Sequence, residues 1–154
     1  MRRDLKFEEI YPFPPERVWK ALTDSAAIAD WLMQNDFRPV LDHEFQFRAK
    51  PQPGWDGIVN CEVIEIDPPR RLAFTWKSAG GAVDTVVRFT LEPVPEGTRL
   101  TLEHTGFRGA KSLMISFILS SGWKGIVREQ IKRVVERFSG EVYTPLSGDG
   151  RGCH

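Results

Sequence analysis

The stretch FILSSGWKGIVREQIKRVVERF, residues 117–138, decides the fold. Phe117, Leu119, Trp123, Ile126, Val127, Ile131, Val134, Val135 and Phe138 recur in it at three- and four-residue steps. That period predicts one long amphipathic helix, from roughly Ser116 to Phe138. Upstream the period falls to two. Thr98–His104, Asp84–Glu92, Arg71–Lys77, Gly57–Ile66 and Glu44–Arg48 each read as a strand. Their separators are Pro95-Glu96-Gly97, Ser78-Ala79-Gly80-Gly81, Asp67-Pro68-Pro69 and a loop at Lys50–Gly54. Turns this short join sequential strands into an antiparallel meander.

Further out, Leu5–Tyr11 alternates as a first strand, and Phe13-Pro14-Pro15-Glu16 ends it and starts a helix through Val18, Trp19 and Leu22. Thr23-Asp24-Ser25 caps a second short helix that closes at Trp31-Leu32. The expected fold class is therefore α+β: a curved antiparallel sheet gripping one long C-terminal helix, with two short helices after the first strand. A cavity can lie between sheet and helix. Residues 1–138 form one domain. Residues 139–154, rich in Gly with only scattered apolar residues, read as a flexible tail.

Composition excludes more than it selects. The 154 residues carry 21 basic and 21 acidic side chains, so the neutral total argues against broad nucleic-acid binding. Two cysteines, Cys61 and Cys153, allow no disulfide framework, and His43, His104 and His154 show no metal-ligand spacing. No cofactor fingerprint is present. The N-terminus lacks a signal-peptide core, and the apolar run Leu113–Leu119, broken by Ser116, is too short to span a bilayer. The expectation is a cytoplasmic protein, monomer or weak dimer, with no membrane insertion.

The sequence resembles the START-like (birch-allergen-like, helix-grip) superfamily, and within it the branch homologous to the activator of a heat-shock chaperone ATPase. The resemblance rests on Pro14–Asp24 with Trp31-Leu32, Asp56-Gly57, Pro68-Pro69-Arg70-Arg71-Leu72, and Phe74-Thr75-Trp76. Gly97–Leu102, His104-Thr105-Gly106-Phe107 and Gly122-Trp123 follow in order. One departure stands out: members commonly carry a glycine before the strand that begins here at Asp42-His43-Glu44-Phe45. The resemblance implies a helix-grip fold with a binding cavity. Its members include ligand carriers, co-chaperones and cyclases, so fold alone does not supply function.

The candidate site is the concave side of the sheet. Trp31, Phe45, Phe47, Trp76, Phe89, Leu102, Phe117 and Trp123 are expected to line it, as pocket wall or as plain core. His104 follows Leu100 and Leu102 by period two, so its imidazole should face inward, either as ligand anchor or proton donor or as a structurally satisfied group. Glu62 lies where parity is blurred, because Cys61 and Val63 compete with Ile64 and Ile66 for the interior; a bulge would resolve it. Facing inward, Glu62 could pair with His104 for acid–base work. Lys124, Arg128 and Lys132 form either a docking stripe or a solvated face.

The reading taken forward is non-catalytic binding of a small apolar or aromatic, lipid-like ligand. The first alternative is a co-chaperone-like interaction module in a stress response, which a filled core with an exposed patch would favour. The second is a cyclase- or hydrolase-type enzyme using His104.

Overall fold

The computed structural model describes residues 2–139 and 142–145. Seven strands form one antiparallel sheet: β1 (Arg2–Tyr11), β2 (Gln34–Asn35), β3 (Glu44–Arg48), β4 (Ile58–Asp67), β5 (Arg71–Ser78), β6 (Val83–Val94) and β7 (Gly97–Arg108). Their spatial order is β1-β7-β6-β5-β4-β3-β2, so the first strand closes onto the last of the meander. Helices α1 (Pro15–Thr23) and α2 (Ser25–Trp31) follow β1 as expected. Pro15 occupies the first turn of α1, where its missing N–H costs nothing. Asp24 accepts from the Ala27 N–H at 3.1 Å and caps α2.

Two backbone details explain how the sheet curls. The parity conflict in β4 is resolved by a register shift between Val63 and Glu65, which turns Cys61 and Val63 inward and leaves Ile64 outside. Gly97, at the β6–β7 turn, has φ +144° and lies so close to β1 that a Cβ there would meet the Tyr11 carbonyl oxygen at 2.1 Å. Only glycine lets the end of β1 pack this tightly against the hairpin. Asp42, two residues ahead of β3, adopts φ +69° although it is not a glycine.

The long helix starts earlier than its apolar period indicates. It comprises α3 (Ala110–Gly125), a π-helical turn (Ile126–Gln130) and α4 (Ile131–Glu136). Gly109, at φ +87°, turns the chain off β7 directly into α3. The extra turns were hidden because their buried residues are Ser112 and Ser116, not apolar ones. At the wide turn the Tyr11 hydroxyl donates to the Val127 carbonyl. Arg17 of α1 donates to the carbonyls of Val135 (3.0 Å) and Glu136 (3.1 Å), satisfying the C-terminal end of α4. The second half of the helix is thus anchored at both ends.

Phe138 is not helical. It belongs to β8 (Phe138–Ser139), paired with β9 (Val142–Tyr143). The Tyr143 ring lies 4.8 Å from that of Phe138, and its hydroxyl donates to Asp30 at 2.5 Å. The start of the expected tail therefore rests on the body. Residues 146–154 lie outside the described residues. No described helix is long and apolar enough to cross a membrane.

Candidate functional site

Alternation along the strands puts Phe45 and Phe47 (β3), Trp76 (β5), Phe89 (β6), and Leu102 and His104 (β7) on the concave face, where Trp31 of α2 and Trp123 of α3 meet them. All eight are buried, none more than 3% exposed. The rings form a continuous chain with tilted or edge-on contacts. Centroids are 5.8 Å apart for Trp31–Phe89, 6.4 Å for Phe89–Trp123 and 5.7 Å for Trp123–Trp76. Trp76–Phe47 at 5.5 Å and Phe47–Phe45 at 5.4 Å complete it. Such pairs add about 0.5–1.5 kcal/mol each beyond the area they bury. In this state the rings fill the space between sheet and helix.

His104 sits at the centre of the layer with 0% exposure. The Trp123 indole Nε1–H donates to its Nδ1 at 2.9 Å. Its Nε2 lies 2.7 Å from Thr85 Oγ1, and the Thr85 hydroxyl donates to the Trp76 carbonyl at 2.9 Å. Because the indole can only donate, Nδ1 must carry the lone pair and Nε2 the proton. The imidazole is neutral with both nitrogens occupied. Burial among Trp76, Phe107 and Trp123 pushes its pKa down to about 3. A neutral ring so held anchors structure and has no spare proton at neutral pH.

Two expected site residues are elsewhere. Glu62 pairs in register with Glu44 and lines an outer groove of about 370 Å³ with Asp36, Gln46, Asn60 and Lys77. The bulge comes after Glu62, so parity leaves its side chain on the convex face, and the Glu62–His104 couple does not form. Phe117 is 63% exposed, with the Arg3 guanidinium 3.8 Å from its ring centroid. It left the core because α3 turns Ser112, Ser116 and Trp123 inward, and Phe117 does not share their face. Of the Lys124, Arg128 and Lys132 stripe, Lys124 and Arg128 are exposed and Lys132 is half-buried, with Glu129 between the last two.

Three contributors were not singled out from sequence. Thr85 shares parity with Val87 and Phe89, so alternation alone could have found it. Phe74 joins the ring layer between Phe45 (5.4 Å) and Phe89 (6.3 Å). Ser112 is 1% exposed, and its hydroxyl has no hydrogen-bond partner among the described residues. No sequence signal marks it, since nothing local distinguishes an inward serine from an outward one.

Similarity to known proteins agrees with this geometry. Protein MLL2253 of Mesorhizobium loti is 34% identical, with a TM-score of 0.79 over 89% of this chain and 99% of that one. Protein BH1534 of Bacillus halodurans is 29% identical, with a TM-score of 0.72 over 87% and 98%. Protein SA2116 of Staphylococcus aureus, at 12% identity and a TM-score of 0.75 over 88% and 94%, shares the fold. No curated protein matches at a significant level. The sequence profile described as activator of Hsp90 ATPase homolog 1-like protein matches residues 12–136, which span the chain from the end of β1 to the last helical residue. The chain belongs to that family.

Proposed function

We propose that the protein binds a small, largely apolar ligand carrying at least one polar atom, without catalysing a reaction on it. The ligand enters beneath the first half of the long helix. The observation that carries this reading is the buried, unpartnered Ser112 hydroxyl on the inward face of α3. An unsatisfied buried hydroxyl costs about 1–3 kcal/mol, and a ligand oxygen or nitrogen offers it a partner.

Access follows from how unevenly the helix is held. Tyr11 and Arg17 fix its second half. In the first half two of the fully buried residues are serines, beside half-buried Ile115 and Leu119, and Gly122, Gly125 and the π-helical turn lie where the halves join. Glycines and π turns weaken a helix at such a point. Outward movement of the turns of α3 ahead of Trp123, which its bond to His104 holds in place, would open the edge of the aromatic layer, which supplies apolar walls.

An apolar fluorophore is expected to bind saturably and quench Trp76 and Trp123. Native mass spectrometry of protein from its own host is expected to show a retained small molecule. A folded protein that binds no apolar probe saturably would overturn the reading. The closed core and the exposed Met114, Phe117 and Ile118 favour instead a module acting from its surface, and that outcome would promote it.

A further inference from the structure

The outer face of α3 carries large apolar side chains, although part of its inner face is polar. Met114, Phe117 and Ile118 are 62%, 63% and 69% exposed, while Ser112 and Ser116 are buried. A soluble helix ordinarily turns its apolar stripe to the core. At 100° per residue, Lys111, Met114, Phe117, Ile118, Ser121 and Lys124 fall on one side of the helix, about 20 Å long from Lys111 to Lys124. The apolar centre of this face has a lysine at each end.

Its charge is one-sided although the chain as a whole is neutral. From His104 through Arg128 there is no Asp or Glu, while Arg108, Lys111, Lys124 and Arg128 all fall within the stretch. Arg3 adds its guanidinium over the Phe117 ring, and Arg2 pairs in register with Arg108 beside it. Asp4, on the same strand, is occupied by Arg2 at 3.0 Å and the Gly106 N–H at 2.9 Å. Towards the other end, Lys124 and Arg128 share a surface groove with Glu8 and Glu9, so the cationic surplus is concentrated around the first turns of α3.

We propose that this face docks on an anionic lipid surface, with Met114, Phe117 and Ile118 entering the headgroup boundary. A run too short to span a bilayer is long enough to lie in its surface. Apolar side chains between cations are the composition of helices that do so, with lysine stems reaching outward to lipid phosphates. A second copy of the chain fits less well, since it would oppose like charges around the apolar centre. The proposal goes beyond the ligand reading and does not depend on it.

Co-sedimentation with phosphatidylcholine–phosphatidylglycerol vesicles, against pure phosphatidylcholine, tests it. Binding is expected only to the anionic vesicles and should weaken as salt is raised. Lys111→Glu with Lys124→Glu should lower partitioning about tenfold or more, and Phe117→Ser with Ile118→Ser should abolish it. These side chains are exposed, so circular dichroism should stay native in both variants. The serine variant should still bind an apolar fluorophore in vesicle-free solution, which separates this face from the interior. Absence of binding to anionic vesicles overturns the proposal, as does binding that survives the serine substitutions. Self-association abolished by those substitutions, without vesicle binding, assigns the face to a second copy and overturns it too. Saturable capture of a glutamate-rich peptide in place of vesicles assigns it to an acidic protein, with the same consequence.

Discussion

The indole nitrogen of Trp123 donates to Nδ1 of His104 at 2.9 Å, and both side chains are buried. This bond joins the long helix to β7 at the midpoint of the aromatic layer. It also fixes the imidazole tautomer that lets Nε2 reach Thr85. Removing either partner leaves a buried polar group with nowhere to turn.

Trp123→Ala is expected to destabilise by about 3–5 kcal/mol, the range for truncating a large aromatic in a core. Trp123→Phe keeps a ring but orphans His104 Nδ1, and should cost about 1–3 kcal/mol. Urea melts check both. A loss below about 1 kcal/mol for the alanine variant, well under the cavity cost, would contradict the packing described.

The same ring predicts how stability depends on pH. A histidine at about 3 in the folded state and 6.5 when unfolded binds its proton only on unfolding between those values. Stability is therefore full above about pH 6.5 and falls as pH drops towards 3. Between pH 6.5 and 4.5 the loss should be roughly 2 kcal/mol. Asp4, lowered chiefly by the Gly106 N–H, acts below its ordinary 3.8 and so outside this window. Melts across pH 4.5–6.5 should show the slope in the native protein and a flatter one in His104→Gln.

The order of strands and helices was legible because each element carries its own period, and turn residues punctuate them. His104 was placed by the same alternation, and the β4 bulge by the clash of two parities. Phe117 and Ser112 were not legible, for one reason. Apolar residues on both sides of α3 make its period ambiguous, and only packing against β1 and β7 decides which side is buried. The neutral total charge likewise hid the one-sided stretch from His104 to Arg128. Net charge averages over a surface that the fold divides.

Asp42 offers a test of backbone cost. Its φ of +69° lies in the left-handed region, and it is exposed. Asp42→Gly removes the Cβ penalty at the price of some unfolded-state entropy, so a net gain of about 0.5–1 kcal/mol is expected. A loss on substitution, in thermal or urea melts, would mean the aspartate side chain contributes more than its strain costs.

The C-terminal hairpin sets the last expectation. Tyr143 stacks on Phe138 and donates to Asp30 at 2.5 Å, bridging 113 residues of sequence. A hydroxyl bonded to a carboxylate is worth about 1.5–3 kcal/mol when sheltered and less when half-exposed. Tyr143→Phe should accordingly cost about 1 kcal/mol. Truncation after Phe138 should cost more, because ring packing and strand pairing go with it. Truncation after Pro145 should leave the melting temperature unchanged, since Gly148-Asp149-Gly150-Arg151-Gly152 offers few side chains to hold a backbone. Comparing the two truncations by calorimetry locates the end of the folded body. Equal melting temperatures for both would mean that the hairpin adds nothing and that the domain ends with the helix.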